Sequence, residues 1–262
     1  MSMKSRVAIV TGGGGMIGRA AAAALARDGV DILLVDINAR RLEESHAIVS
    51  KFSTRVEVCL ADCGLWSGVE SYVAQALKQF GRIDAFFNNA GVESKVTPIY
   101  ECTEAEWDRV ININLKGVFL GLRHMLPVMI AQGSGAIVNT GSIASERGLP
   151  GSAAYNAAKH GVLGLTRTSA ADVGHKGVRI NAVLPGFIDT PLFRTIVTEI
   201  FGPDHIEDGV KALGQSVPIG RVAQPAEVGE VVAFLLSDRA SYVNGVGWAV
   251  DGGILATTGN SG

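Results

Sequence analysis

Residues 6–36 restrict the fold more than any other stretch of the chain. Arg6 to Thr11 (Arg-Val-Ala-Ile-Val-Thr) is continuous and rich in β-branched residues, the pattern of a strand buried on both faces. Thr11-Gly-Gly-Gly-Gly-Met-Ile-Gly18 follows, then an Ala-rich helix from about Arg19 to Arg27, then Asp31 to Val35 as a second buried strand ending in Asp36. Strand, glycine-rich turn, helix, strand and terminal acid are the parts of a βαβ unit that holds a dinucleotide. Glycines let backbone N–H groups approach a pyrophosphate, and the helix N-terminus adds positive potential. Gly13-x-Gly15-x-x-Gly18 matches the fingerprint, with Asp36 at about the expected 20-residue remove. The competing reading is a turn whose glycines serve only tight strand–helix packing. A carboxylate at the end of this strand accepts hydrogen bonds from a ribose 2′-OH and repels a 2′-phosphate. Gly15 and Ile37 flank that position without positive charge, and Arg40 and Arg41 fall in the first turn of the next helix. NAD(H) is therefore the expected cofactor.

The alternation continues down the chain. Val56 to Leu60 reads as a strand before Asp62-Cys63, Trp66 to Phe80 as a helix, and Ile83 to Phe87 as a strand closing on Asn88-Asn89-Ala90-Gly91. Helices are expected around Glu104 to Ile113 and Leu115 to Ala131, with Asn112 and Asn114 at a joint between them. Ala136 to Asn139 is a strand leading to Ser142, and a helix covers Ser152 to Leu165. Val178 to Leu184 is a strand ending at Pro185-Gly186. Thr190 to Gln215 reads as irregular, with Leu192, Phe193, Ile196, Val197, Ile200 and Phe201 as an apolar cluster. Pro225 to Leu236 is a helix and Gly247 to Val250 a last short strand. Seven strands alternating with helices, without a polar linker, predict an α/β fold. The expectation is a single Rossmann-fold domain over 1–262, a doubly wound seven-stranded parallel sheet with helices on both faces. Its dinucleotide-binding half runs to about residue 140, and the catalytic and substrate-binding half covers about 141–262.

Composition removes several function classes. A hydrophobic content of 47% in 262 residues supplies a large core. A net charge of −2 gives no electrostatic case for nucleic acid or an anionic membrane, and no basic–aromatic interleaving offers a stacking platform for single strands. No apolar run reads as long enough to span a bilayer. Cys59, Cys63 and Cys102 are an odd, sparse set with no metal spacing beyond a lone Cys-x-x-x-Cys, so no metal is expected. Met-Ser-Met-Lys-Ser-Arg leads straight into the first strand without the pattern of a secretory leader; a reduced, cytoplasmic, soluble protein is the expectation.

Chemistry is concentrated between Ser142 and Lys159. Tyr155 and Lys159 stand four apart in a run of small, helix-tolerant residues, so phenol and ammonium share a helix face. A free phenol, with a pKa near ~10, is a poor acid or base at neutral pH, and a neighbouring ammonium favours the phenolate. General acid–base work wants that group nearer the working pH. Ser142, upstream on a loop, could return as a hydroxyl donor to a reacting oxygen. Taken alone, the pair equally fits an exposed Tyr–Lys contact on a helix.

With these pieces in order, nearly the whole chain resembles the short-chain dehydrogenase/reductase family. Its Thr-Gly-x-x-x-Gly-x-Gly turn falls on Thr11, Gly12 and Gly18, its Asn-Asn-Ala-Gly on Asn88 to Gly91, and its Pro-Gly turn and following Thr on Pro185, Gly186 and Thr190. The family's catalytic tetrad corresponds to Asn114, Ser142, Tyr155 and Lys159. The resemblance implies cofactor contacts from Gly12, Gly15, Met16, Ile17 and Gly18 at the pyrophosphate turn and from Asp36 and Ile37 at the ribose. It implies Asp62 and Cys63 at the adenine, and Asn89, Ala90 and Gly91 at the adenosine ribose. Pro185, Gly186, Ile188 and Thr190 belong by the same resemblance to the nicotinamide carboxamide. Lys159 would bind the nicotinamide ribose and lower the pKa of Tyr155, Ser142 would orient the substrate oxygen, and Asn114 would hold a water that continues the proton path. Two departures stand out: Met16 replaces the usual second glycine, where a Cβ could crowd the pyrophosphate, and Cys63 replaces the usual Val.

The substrate is less sharply written. Ile143 to Ser145 (with Ala144), Leu149, Pro150, Phe187 and the stretch from Leu192 to Gln215 should wall the pocket; they are mostly apolar. Arg194 could clamp an anion or lie solvated on its loop. A small alicyclic or aromatic ketone and its secondary alcohol are the expected substrates. Phe86-Phe87-Asn-Asn-Ala-Gly-Val-Glu93-Ser-Lys95 is similar to bacterial reductases of cyclic diketones and cyclic ketones, in which reading Glu93 contacts a polar end of the substrate; a surface Glu–Lys loop is the alternative. The family resemblance also implies a homotetramer, with the helices Leu115 to Ala131 and Ser152 to Asp172 at one interface and Trp248, Val250 and Ile254-Leu255 at another. A 3-oxoacyl-thioester reductase is a rival activity, against which Asp36 and Ile37 argue. A non-catalytic NAD-sensing protein on the same fold is a further one, expected to lose members of the tetrad.

Overall fold

Seven strands form one parallel sheet in the order β3-β2-β1-β4-β5-β6-β7 in a computed structural model that describes residues 6–257. The strands are β1 (Val7–Thr11), β2 (Asp31–Asp36), β3 (Val56–Leu60), β4 (Ala85–Asn88), β5 (Gly135–Thr140), β6 (Val178–Pro185) and β7 (Gly247–Val250). The helices on its two faces are α1 (Met16–Arg27), α2 (Ala39–Val49), α3 (Trp66–Phe80), α4 (Glu104–Ile111), α5 (Gly117–Gln132), α6 (Ala153–Val173), α7 (Pro191–Phe201), α8 (Ile206–Ser216) and α9 (Pro225–Leu236). Every residue of β1 and β4 is buried, because helices cover the sheet on both sides. Side chains alternate between two cores: Ala8, Val10, Ile32 and Leu34 meet α1 and α9 on one face. Ile9, Leu33 and Val35 meet α3, α5 and α6 on the other. Each large apolar side chain buried in this way contributes about 1.5–3 kcal/mol. The strand order reverses between β1 and β4, which opens a crevice at the carboxyl edge of the sheet.

Several boundaries differ from expectation for identifiable reasons. The first helix starts at Met16 and not near Arg19, because Gly15 is its extended N-cap (φ −77°, ψ 159°). β4 starts at Ala85 and not at Ile83, whose backbone N–H and C=O are both taken by the side-chain amide of Gln132. The expected joint at Asn112 and Asn114 is a π-helical segment, Asn112–Lys116, which joins α4 to α5 without a break. The resulting helix, Glu104–Gln132, is 29 residues long with a mean hydropathy of 1.2 in its most apolar window. That corrects the expectation that no run has the length and composition of a membrane span. Val110, Val118, Leu122, Met125 and Met129 are core residues, so packing in the protein interior accounts for its apolarity.

The segment expected to be irregular, 190–215, is a helical hairpin. Thr190 accepts a hydrogen bond from Phe193 N–H as N-cap, Pro191 occupies the first turn, and Gly202 (φ +87°) ends α7. Its apolar residues close on α8 where Gly209 leaves no side chain; a Cβ there would lie 2.6 Å from Val197 and 2.7 Å from Phe201. Gly209 is thus the packing surface of α8 against α7. A second correction concerns the C-terminal segment: Ile254 and Leu255, expected at a partner interface, pack into this chain's own clusters with Ile143, Val217 and Leu184. Trp248 stays 38% exposed, edge-on to Phe234.

Backbone meets backbone where α9 crosses α1. A Cβ on Gly229 would come within 2.8 Å of the Ala20 carbonyl carbon and 2.9 Å of Ala21 N. Neither atom can move without shifting the helix that carries the glycine-rich turn. Gly229→Val is therefore expected to destabilise the fold by about 1–3 kcal/mol. A lowered urea midpoint at fixed protein concentration checks this; an unchanged midpoint removes the crossing as a constraint.

Candidate active site

The crevice is organised by Thr11, the last residue of β1. Its hydroxyl donates to Phe87 O and accepts from Asn89 N–H (2.9 Å) and Ala90 N–H (3.2 Å), so the turn after β4 is pinned to β1. Asn89 closes the other side, donating to Thr11 O and accepting from the Thr140 hydroxyl (3.0 Å) at the end of β5. Gly12 takes φ +63°, where a Cβ would meet Asn89 Nδ2 at 2.8 Å. A Cβ on Gly18 would come within 2.3 Å of Gly12 O, so this glycine permits the helix to approach the turn.

These positions fit a dinucleotide. The first turn of α1 has no side-chain cap and no acidic residue, which leaves its N–H groups at Met16, Ile17 and Gly18 without an internal anion. Met16 is helical and 40% exposed; the strained conformation belongs to Gly12, so the missing second glycine costs the turn no backbone strain. Asp36 stands at the end of β2 as expected. Its carboxylate accepts from Gly14 N–H and from Asn38 N–H, each at 3.0 Å, which fixes its orientation at the turn, and Ile37 beside it is exposed. Asp62 accepts from Gly64 N–H (2.8 Å). Burial pushes the Cys63 thiol up to about 12, with the Asp36 and Asp62 carboxylates adding, so it is a neutral, small apolar group. Gly91 lies against Asn114, Gly186 donates to Val250 O at the end of β6, and Ile188 is buried. The Thr190 hydroxyl is occupied as the cap of α7.

The four residues of the expected tetrad arrive from four places. Ser142 follows β5 in a short capping box; its Oγ accepts from Ala144 N–H at 3.1 Å. Tyr155 stands in the first turn of α6, near enough to the Ser142 side chain for the hydroxyl to favour the phenolate. Lys159 is 4% exposed, its Nζ donating to Thr140 O at 2.8 Å and lying 5.4 Å from the Tyr155 ring centroid. Asn114 sits in the π-helical segment with its side-chain amide spent on both polar groups of Val92, at 2.8 Å and 2.7 Å. One expectation changes sign. Burial pushes the Tyr155 phenol up, with Glu93 second, and the Ser142 hydrogen bond opposes them only in part. In the free protein the phenol is neutral, and the neighbouring ammonium does not overcome desolvation.

The Glu93 carboxyl is desolvated and within electrostatic reach of Lys159, whereas Lys95 two residues on is exposed. Burial raises it and Lys159 opposes that, while burial lowers Lys159 and Glu93 opposes that; the two approach each other at about 7 and about 8 and titrate as a pair. Ile143, Leu149, Phe187 and Val217 form an apolar wall, and Phe187 stacks on Phe193 with 5.7 Å between centroids. Ala144 is fully buried, so it holds Ser142 and offers no side-chain surface to a substrate; Leu192 is exposed at the start of α7. Arg194 is held by Asp189 (2.7 Å) and Glu207 (2.6 Å), which makes it a brace of the hairpin and leaves no clamp for an anionic substrate.

Sequence reasoning missed the supports. Ser145 donates to Lys159 O (2.8 Å), and Asn156 holds the 149–152 turn through Leu149 and Ser152. Thr140 supplies the carbonyl for Lys159. Their signal was faint: polar residues adjoining the motif positions, with partners that only the fold reveals.

Similarity to known proteins agrees with this geometry. The family description that matches, over residues 14–255, is enoyl-(acyl carrier protein) reductase. Levodione reductase of Leifsonia aquatica is 46% identical over 250 residues, covering 95% of this chain and 93% of that one. Cyclohexanol dehydrogenase of Acinetobacter sp. (strain SE19) is 38% identical, with coverages of 95% and 94%. The crystal structure of levodione reductase superposes with a TM-score of 0.94 at 45% identity over 96% of this chain and 98% of the other. NAD+-bound xylitol dehydrogenase superposes at 0.91 with 33% identity over 97% and 100%. Motifs, sheet order and likeness along the full length agree: the chain belongs to the short-chain dehydrogenase/reductase family.

Proposed function

We propose that the protein is an NAD(H)-dependent alcohol dehydrogenase/carbonyl reductase that interconverts a small alicyclic or aromatic ketone and its secondary alcohol. The observation that carries this reading is the convergence of Ser142 and Lys159 on Tyr155, beside an apolar wall at the carboxyl edge of the sheet. When bound, the nicotinamide cofactor supplies the hydride. Tyr155 is the general acid in reduction, passing its hydroxyl proton to the carbonyl oxygen, and the base in oxidation. Ser142 Oγ already accepts from Ala144 N–H, so its own proton is free to donate to the same oxygen. Lys159, fixed on Thr140 O, has further N–H groups for the nicotinamide ribose and stabilises the phenolate that reduction leaves behind. Asp36 takes the ribose 2′-OH and disfavours a 2′-phosphate. Glu93, neutral below about 7, donates to a second oxygen of the substrate; as a carboxylate it only accepts. The relatives named for levodione and cyclohexanol support a cyclic substrate. A homotetramer is part of the same reading, supported by the exposed Phe119 and Trp248.

Tyr155→Phe is expected to lower turnover by about 10²–10⁴-fold while NADH binding, followed by fluorescence, is largely retained; retained turnover removes Tyr155 as the acid. Asp36→Ala is expected to reduce the preference for NADH over NADPH, and an unchanged ratio would mean that Asp36 does not face the ribose. For a cyclic diketone, kcat/KM should be highest below about pH 7 and fall through the two steps, near about 7 and about 8, that belong to the Glu93–Lys159 pair, whereas a monoketone should respond only to the second step. Superimposable profiles would take Glu93 out of substrate binding. NADH oxidation across cyclic diketones, aryl ketones and acetoacetyl thioesters, with NADPH alongside, tests the whole reading; activity confined to thioesters would replace it.

A further inference from the structure

We propose that Glu199, on α7, is a positioning residue that latches the segment 92–97, and Glu93 with it, to the helical hairpin beside the cleft. The inference rests on the reading of Glu93 as the substrate-facing acid. Segment 92–97 has no regular structure of its own apart from a bridge between Thr97 and Ser152, so its shape is set by what holds its backbone. Asn114 holds both polar groups of Val92, Arg109 donates to Glu93 O (2.7 Å), Glu106 accepts from Lys95 N–H (2.9 Å), and Thr97 N–H donates to Gly151 O (2.9 Å). These partners lie on α4, on the π-helical segment and on the turn before α6. Among the described residues, the hydrogen bond that reaches α7 is from Val96 N–H to Glu199 Oε2, at 3.2 Å.

The latch is exposed, and that suits a part that must open. When α7 moves away, water takes over the bond at little net cost, so closure is reversible. Its charge also acts inward. The titratable and charged groups that the Glu93 carboxyl feels are Lys159 and Tyr155 from α6 and Glu199 from α7; Arg109 from α4 meets its backbone carbonyl, and Glu106 from α4 the backbone N–H of Lys95. Of these Glu199 adds to the rise in the Glu93 pKa. With the hairpin closed, a second carboxylate near Glu93 favours its neutral, hydrogen-bond-donating form. The hairpin thus both aims Glu93 and sets which substrate oxygen it recognises: an acceptor such as a carbonyl when closed, and less so when open.

The test is the pH dependence of diketone reduction with NADH from about pH 5.5 to about pH 9, joined to amide hydrogen exchange. Glu199→Ala loses both bond and charge: the ketone KM is expected to rise about threefold and exceed any fall in kcat, with the NADH KM unchanged and faster exchange over 92–97. Glu199→Gln keeps an acceptor for Val96 N–H and removes the charge; it should restore most of the KM and move the Glu93 inflection down by about half a pH unit, the exposure of Glu199 limiting the shift. An unmoved inflection in Glu199→Gln together with an unchanged ketone KM in Glu199→Ala overturns the proposal. Glu93→Gln separates the two readings. If the wild-type inflection survives in it, the reading of Glu93 falls, and the latch is judged by exchange alone, where unchanged rates over 92–97 in Glu199→Ala overturn it.

Discussion

A buried ammonium dictates the arrangement of this site. Lys159 is 4% exposed, and removing an ammonium from water costs several kcal/mol even after the protein relaxes around it. Three features offset that cost: the Thr140 carbonyl at 2.8 Å, the Glu93 carboxyl in electrostatic reach, and room for ligands at N–H groups that the fold leaves unused. Meeting the first requires that α6 lie across the end of β5 in one register, which Ser145 secures by donating to Lys159 O. Once that register is set, Tyr155, one turn earlier, has a single place to go, and Ser142 meets it from the end of the same strand. The geometry of the acid thus follows from where a neighbouring charge can be tolerated.

Below the site a polar ladder keeps the strand ends aligned. Asn88 on β4 donates to Asn139 on β5, and Asn139 donates to Thr166 on α6, all fully or almost fully buried. Each member is satisfied, which is the condition under which a buried polar network rigidifies a core without destabilising it. Thr11 performs the same service one strand over, so β1, β4, β5 and α6 are connected by side-chain hydrogen bonds as well as by the sheet. Ser94 breaks the pattern: its hydroxyl is buried with no partner among the described residues, next to Glu93 in sequence. Departures of this kind belong where a ligand is expected to complete the structure.

Much of the fold was legible because its signals are local. β3, α3, α9 and β7 have the limits that β-branched runs, helical periodicity and Pro225 imply. The hairpin of α7 and α8 was not legible, since Gly202, Gly209 and Gly214 interrupt the helical signal in sequence, while in space Gly202 (φ +87°) turns the chain and Gly209 makes the contact with Val197 and Phe201. That Ser142, Tyr155 and Lys159 would meet beside the end of β5 could be read from residue type and order, whereas the burial of the Glu93 carboxyl could not. Whether a loop acid faces solvent or a cleft depends on Asn114 and Arg109, which are 21 and 16 residues away and hold the segment by its backbone. The direction of the Tyr155 shift was misread for a related reason. Spacing reveals the ammonium four residues on but not the depth of burial, and here burial is the larger effect.

That order of effects bears on how the chemistry is timed. A phenol pushed up by burial stays protonated in the free protein, which is the form that the proposed ketone reduction starts from, although the same shift makes it a weaker acid. Alcohol oxidation needs the phenolate, and nothing present in the free site makes it: Ser142 opposes the rise only in part, and Glu93 adds to it. Positive charge brought close to the phenol would shift this balance, as would loss of the negative charge on Glu93. The second follows from filling the cleft, because a substrate oxygen that accepts from Glu93 favours its neutral form. The protonation state of the phenol is thereby tied to what occupies the pocket, through the one carboxyl that Lys159 and Tyr155 both feel.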